Sequence, residues 1–361
     1  MFSDEAIKTI REGILKGKPV RGPVDVQILP LNVCNQACLF CPLQAVPKEM
    51  KHKHAPRFIE PALMMEWNIF ERIVNGLKEL GEVERVHFTG GEPLMHPRIM
   101  EMVAAFKKKF HRVSVGVVTN GILLAERFDK LVEAGLDRIS VSINAANEQT
   151  YIKLSPSNRS EDFKLILEGI ERVGAYKRDI TKKHAPELAL TCVLTRYNFN
   201  QVADLLEIAS LSGADSITFI PLAPFEYEGI FSTGDFAIQK TEFAGFLKDI
   251  QKFASKARSK GIWLGYSGNE ADMGILKTDS IPCPCYAGFA FCVFWPDGTV
   301  RPCCNCEAVM GNIFRQSFAQ IWKSEAYQEF RAKALAGKLP TSMRCSCMEC
   351  GYLYENRFFC R

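Results

Sequence analysis

The sequence predicts an α/β protein built on a parallel sheet and followed by a small cysteine-rich region, and three observations lead there. Strand-length apolar runs alternate with helical spacing six times between residues 24 and 260, the order that gives parallel strands joined by right-handed crossovers. Residues able to do chemistry fall, group after group, just past the C-terminal ends of those strand runs, where α/β sheets and barrels hold their ligands. Ten of the fourteen cysteines lie between Cys283 and Cys360, beyond the point where that rhythm stops.

Residues 5–16 read as a short charged amphipathic helix, and Gly17 to Pro23 as a turn-rich lead-in. Val24 to Leu31 is the first strand run, and it delivers the chain to a loop with Cys34, Cys38 and Cys41. Residues 42–61 are polar and interrupted by proline, which reads as a loop over the site. The pattern continues as helix 63–80, strand 83–89, helix 97–110, strand 112–119, helix 124–134 and strand 138–143. Helix 160–176, strand 187–195, helix 199–212, strand 216–221 and helix 240–260 complete it. The division expected is a lead-in at 1–23, an α/β unit at 24–265 and a cysteine-rich unit at 266–361.

Hydrophobic residues at 47% and charged residues at 24% describe an ordinary globular chain. A net charge of +4 is too small to argue for nucleic acid. The basic run Lys48, Lys51, His52, Lys53 and His54 is local, a solvated loop that could also meet an acidic substrate. No apolar run approaches the roughly 18 residues that span a bilayer, and the charged N-terminal helix is unlike a signal peptide. The expectation is a cytoplasmic protein with no membrane partner, whose cysteines bind metal rather than form disulfides.

Three thiolates spaced C-x3-C-x2-C can hold three irons of a four-iron cluster and leave the fourth open. A zinc knuckle is the plain alternative, though zinc usually takes cysteines paired as C-x2-C and a fourth ligand, which His52 or His54 could supply. After the second strand, Gly90 and Gly91 let the backbone approach a ligand, with Glu92 beside them and Pro93 stiffening the exit. An ordinary turn would look the same. Asn120 is either a site residue or a helix cap, and Ser142 and Asn144 are either ligand contacts or satisfied polar groups at a strand end. Arg196 is equally readable as a solvated arginine. His87, on an apolar strand, reads as a packed core histidine; His96 and Pro97 begin a helix, and Cys192 is a buried core thiol.

The cysteine loop, including Phe40 before its last cysteine, and the Gly90-Gly91-Glu92-Pro93 element resemble those of the radical S-adenosylmethionine (SAM) enzymes. The resemblance implies a partial (β/α)6 TIM-like barrel, with a [4Fe-4S] cluster on Cys34, Cys38 and Cys41 whose open iron takes the amino and carboxylate groups of SAM. It implies that Gly90, Gly91 and Glu92 meet the SAM amino group and that Asn120 lines the site. Ser142 and Asn144 are then partners of the ribose and methionine moiety, and Arg196 reaches the SAM carboxylate. The activity implied is reductive cleavage of SAM to a 5′-deoxyadenosyl radical, fed by a low-potential donor such as flavodoxin or ferredoxin. No acid or base is assigned.

In the cysteine-rich region, Trp295 to Val300 reads as a hairpin with Asp297-Gly298 at its turn, which would hold Cys292 and Cys303 near one another. Seventeen residues separate Cys285 from Cys303, and Cys347 and Cys350 form a C-x2-C pair. This region resembles the SPASM/twitch extensions of radical SAM enzymes, which implies at least one auxiliary [4Fe-4S] cluster. One ligand set is Cys285, Cys303, Cys347 and Cys350; a rival replaces the last pair with Cys292 and Cys360. Asn356 stands where the two-cluster pattern has a cysteine, and Cys304, Cys306 and Cys345 are left over. An auxiliary cluster that accepts an electron implies a net oxidation. With about two dozen residues before the first strand, the expected substrate is a small sugar- or aminocyclitol-like metabolite, with a peptide as the alternative. An iron–sulfur electron carrier without SAM chemistry and a zinc-binding interaction protein are readings of other classes.

Overall fold

The computed structural model describes residues 2–41, 62–156, 158–179, 181, 184–222, 226–227, 231–267, 284–304, 306–337 and 359. Helix α1 (Asp4–Leu15) starts at Ser3, whose hydroxyl accepts from the Ala6 N–H. Seven strands follow one another in the sheet, each parallel to the last: β1 (Asp25–Leu31), β2 (Arg85–Gly90), β3 (Ser114–Thr119), β4 (Arg138–Ser142), β5 (Glu187–Leu194), β6 (Ser216–Pro221) and β9 (Trp263–Tyr266). A two-residue ribbon, β7 (Glu226–Tyr227) with β8 (Phe231–Ser232), lies between β6 and β9 in sequence. The six expected strands are all present. The seventh, β9, was not foreseen, because four residues interrupted by Gly265 carry almost no periodic signal.

On its other side β1 pairs in parallel with β10 (Phe291–Phe294), Val26 opposite Cys292. A hairpin joins β10 to β11 (Thr299–Arg301), and β12 (Gly311–Asn312) closes the sheet's second edge. The result is one ten-stranded sheet that runs from β12 to β9, and among the described residues those edge strands do not pair with each other. The barrel is therefore partial, and the cysteine-rich region extends the same sheet.

The helices are α2 (Trp67–Glu79), α3 (Ile99–Lys109), α4 (Leu124–Glu133), α5 (Glu148–Leu154), α6 (Ser160–Arg178), α7 (Val202–Leu211), α8 (Lys240–Ser259), α9 (Ala287–Ala290), α10 (Phe318–Trp322) and α11 (Glu325–Leu335). Helix α2 begins later than its apolar spacing suggests, because Met65 donates its N–H to Pro30 and Met64 bridges to Leu31 in extended backbone. Helix α5 was missed; it is one short stretch started by Asn147, whose side chain accepts from the Thr150 N–H.

Strand alternation sorts the side chains into two sets. Val26, Ile28, Val86, Phe88, Val115 and Val141 turn outward and are fully or almost fully buried under the helices. Phe106 of α3 stands edge-on to Phe70 and Phe88 at 5.8 and 6.0 Å, so the packing there is specific as well as apolar. The inward set is mixed: Gln27, His87, Thr89, Ser140, Thr191 and Thr218 share a lumen of about 480 Å³ with Val118, Ala189 and Phe291. Parallel strands buried on both faces would be apolar throughout; here the inner face carries polar and charged side chains among apolar ones. His87 belongs to the lumen and not to a packed core. Its side chain is 29% exposed, with Nε2 3.4 Å from Asp25 Oδ1 and 3.3 Å from Arg138 Nη2.

Pro30 has no N–H to give the sheet, and the register of β1 against β2 shifts between Ile28 and Leu31. That irregularity is where β1 turns into the cysteine loop.

Candidate functional site

The loop after β1 rests on the loop after β2. Gly91 donates its N–H to Leu31 O at 2.9 Å, and Glu92 donates to Val33 O at 2.8 Å. A Cβ on Gly91 would lie 1.9 Å from Val33 O, so only glycine allows this approach. Gly90 has φ 116°, a conformation that glycine alone adopts readily. The glycine pair thus brings two backbones together beneath the thiols.

Glu92 is 1% exposed and points toward the end of β3. Its Oε1 accepts from Thr119 Oγ1 at 2.7 Å and from the Leu94 N–H at 3.0 Å, while Oε2 accepts from the Asn120 N–H at 2.7 Å. Burial raises its pKa and the three donors oppose that rise. Held this way, Asn120 turns its Nδ2 onto Asn35 Oδ1 at 2.7 Å and onto Cys34 Sγ at 3.5 Å. The carboxylate therefore reaches the thiols through Asn120.

The other flank of the loop is fixed by residues the sequence reading passed over. Asn158 accepts from the Ala37 N–H at 2.9 Å and donates to Asn35 O at 3.1 Å. Ser155 Oγ lies 3.4 Å from Cys38 Sγ, and Leu39 donates its N–H to Leu154 O at 2.9 Å. Locally, Ser155 to Asn158 shows only the signature of a turn after α5; its partners lie more than a hundred positions away.

Cys34, Cys38 and Cys41 are all half-buried on this loop. Burial pushes the Cys34 and Cys38 thiols up to about 12, and the charge of Cys41 nearby pushes in the same direction. Thiols crowded this way stay protonated unless a cation compensates them. The Gln36 N–H, Asn120 and Ser155 supply donors to their sulfurs. Three neighbouring thiols on one loop, with donors aimed at the sulfurs of Cys34 and Cys38, fit a [4Fe-4S] cluster.

Beside Cys38, a narrow crevice is lined by Phe40, Ser142, Asn144, Tyr151 and Ser155. Ser142 and Asn144 therefore lie beside the cysteine loop. Asn144 also ties β4 to β5, its Oδ1 accepting from the Val193 N–H at 2.8 Å. Arg196 is the residue set apart. It is exposed past the end of β5, where its N–H donates to Phe236 O at 3.0 Å.

The foreseen hairpin is present: Gly298, at φ 78°, donates to Trp295 O at 2.9 Å, and Trp295 donates to Thr299 O at 2.9 Å. Its register, Val293 opposite Arg301, puts Cys292 and Cys303 at the same end. Cys292 is fully buried, Cys303 nearly so and Cys304 exposed, while Cys285 is half-buried before α9. Cys345, Cys347, Cys350, Cys360 and Asn356 lie outside the described residues. Phe359 packs edge-on to Tyr286 at 6.4 Å and stacks on Phe2 at 5.8 Å. Among the described residues no helix is long and apolar enough to cross a membrane.

Comparison with known proteins agrees with this fold. The chain is 25% identical over 301 residues to the tungsten-containing aldehyde ferredoxin oxidoreductase cofactor-modifying protein of Pyrococcus furiosus, a match that covers 78% of this chain and 79% of that protein. It is 26% identical over 211 residues to the GTP 3′,8-cyclase of Chlorobaculum tepidum, covering 58% of this chain and 57% of the cyclase. Streptococcus suis SuiB bound to its precursor peptide SuiA shares the fold, with TM-score 0.64 and 17% identity over 96% of this chain and 73% of SuiB. So does native anSMEcpe with bound S-adenosylmethionine, at TM-score 0.63 and 18% identity over 93% of this chain and 96% of the other. Residues 283–351 match the SPASM iron-sulfur cluster-binding domain and residues 28–209 match the radical SAM superfamily, so the cofactors are a [4Fe-4S] cluster, S-adenosylmethionine and auxiliary iron–sulfur chemistry, and the chain is an enzyme that belongs to the radical SAM superfamily.

Proposed function

We propose that this radical SAM enzyme oxidises a small polar metabolite, sugar- or aminocyclitol-like, bound in the lumen of the partial barrel. The observation that supports this most is the lumen itself: about 480 Å³, with hydroxyl, amide and imidazole groups among apolar ones such as Val118 and Phe291, and with Arg85, Arg138, Asp25 and Glu187 at its floor. That volume lies within the usual range for small-molecule sites. When bound, the radical cluster and SAM supply a 5′-deoxyadenosyl radical that takes hydrogen from carbon, and an auxiliary cluster supplies the acceptor for the second electron of an oxidation.

The chain's own share is holding and orienting. Cys34, Cys38 and Cys41 hold the radical cluster. Gly90 and Gly91 bring backbone up to the SAM amino group, with Glu92 and Asn120 fixing the wall beside it. Ser142 and Asn144 hold the ribose and methionine moiety, and Arg196 reaches the carboxylate from the rim. For the auxiliary cluster we favour Cys285, Cys292, Cys303 and Cys360 over the set with Cys347 and Cys350. Phe359, next to Cys360 in sequence, packs on Tyr286, next to Cys285. A flavodoxin or ferredoxin would deliver the first electron, in the cytoplasm.

The fold neighbours solved with peptides keep a peptide substrate as the second reading. To separate the two, anaerobically loaded enzyme is mixed with SAM, a reductant and either the ultrafiltrate or the retentate of a cell extract. Faster 5′-deoxyadenosine formation with the ultrafiltrate supports a metabolite. Stimulation by the retentate alone would sink that reading in favour of the peptide.

A further inference from the structure

Helix α11 carries a buried cation with no counter-charge among the described residues. Arg331 is 1% exposed, with Nε donating to Gly288 O at 2.6 Å and Nη2 to Trp322 O at 2.8 Å. Its guanidinium carbon sits 4.7 Å from the ring centres of both Trp322 and Tyr327. Nη1 donates to nothing, and among the described residues no carboxylate pairs with the group. One turn earlier, Tyr327 is fully buried and its hydroxyl is also without a partner.

Native structures rarely tolerate two such donors side by side, because an unpaired buried donor loses its hydration and gains nothing in return. A guanidinium cannot shed its proton to escape. An anion is the missing element. The nearest chain is the one that carries the thiols: Arg331 reaches Gly288 O and lies 5.6 Å from the Phe289 ring centre, on the short helix between Cys285 and Cys292 that runs straight into β10. The hairpin register brings Cys292 and Cys303 to the same end of β10 and β11.

We infer that Tyr327 and Arg331 form the polar wall of the auxiliary cluster's pocket, Tyr327 donating a hydrogen bond to a cluster or cysteine sulfur and Arg331 balancing the cluster's negative charge. The inference rests on the reading that Cys292 and Cys303 hold that cluster. Donors and positive charge favour the more negative, reduced state, so the two residues raise its reduction potential. Neither touches the reacting carbon; both are positioning residues that set how readily the cluster takes an electron.

The test uses the full chain with Cys34, Cys38 and Cys41 replaced by Ala, so that only auxiliary iron remains. Tyr327→Phe, which deletes one oxygen and keeps the ring, is compared with Tyr327 by potentiometric titration of the reduced cluster's paramagnetic signal and by the rate of iron loss to a chelator. Expected is at least a tenfold weaker reduction equilibrium, about 59 mV lower for one electron, together with faster iron loss. Arg331→Lys keeps the charge without the planar fork and shifts the potential in the same direction, so the result does not depend on one variant folding. If the triple variant holds no iron, the auxiliary-cluster reading itself falls. If it holds iron and neither variant moves the potential or the release rate, the inference alone is overturned.

Discussion

The loop that carries Cys34, Cys38 and Cys41 and the hairpin that carries Cys292 and Cys303 are held by opposite means. The loop is tied by directed hydrogen bonds from the ends of β2, β3 and α5 and from the turn that follows it. The hairpin closes on its own backbone hydrogen bonds but meets the helices through rings, with Phe294 5.0 Å from Phe318 and Trp322 4.8 Å from Tyr327, and buried donors there are unused. A site tied by its own chain can stand ready before its ligand arrives, whereas one with leftover donors is completed by the ligand. Iron removal should therefore loosen the hairpin more than the loop.

Replacing Cys34, Cys38 and Cys41 together by Ala tests the comparison most severely. SAM cleavage should vanish and iron should drop from about eight to about four per chain, while the circular-dichroism melt stays close to wild type; an unfolded variant would show that the loop is not self-supporting. Gly91→Ala drives a methyl into Val33 O and should cost about 3 kcal/mol in urea unfolding, with loss of the radical cluster's iron.

Glu92→Gln sets an amide hydrogen against one of three donors and should cost about 2 kcal/mol. It should also remove a pH dependence. Because burial raises the Glu92 pKa, the native state binds this proton more tightly than the unfolded chain does. Its contribution is full below the usual carboxylate range and fades as pH climbs through the raised value, and the difference between wild type and variant across pH measures it.

Iron loading of the loop should release protons from both Cys34 and Cys38, since thiols pushed up to about 12 are protonated beforehand. Buffer acidification on reconstitution reads this, and its absence would mean that thiolates exist without iron. The smallest effect is expected from Asn158→Ala, about tenfold weaker retention of the radical cluster against a chelator. An equal effect of this variant on auxiliary iron would blur the distinction between the two sites.

What could be read in the sequence was what repeats or clusters locally. Cysteine spacing, the Gly90-Gly91-Glu92-Pro93 turn and strands that end in polar residues all announce themselves within a dozen positions. Asn158 and Ser155 do not, because their contacts to residues 35, 37 and 38 close only when the sheet forms. His87 was misjudged for a related reason: an apolar neighbourhood in sequence hides which way each side chain turns, and alternation turns His87 inward. Strand β9 and helix α5 were too short to show a period. The attachment of β10 to β1 was invisible, since nothing local tells a strand which distant edge it will join.

That attachment also sets a scale. Val26 lies opposite Cys292 on the neighbouring strand, and eight positions further along the same backbone comes Cys34. At about 3.3 Å per residue the path is at most about 26 Å, so β1 works as a ruler with one thiol site at each end. The ruler also reads parity: a one-residue slip of β10 would turn Cys292 into the lumen and Phe291 out of it. Adding or removing a residue in β1 would respace the two thiol sites without altering a single cysteine.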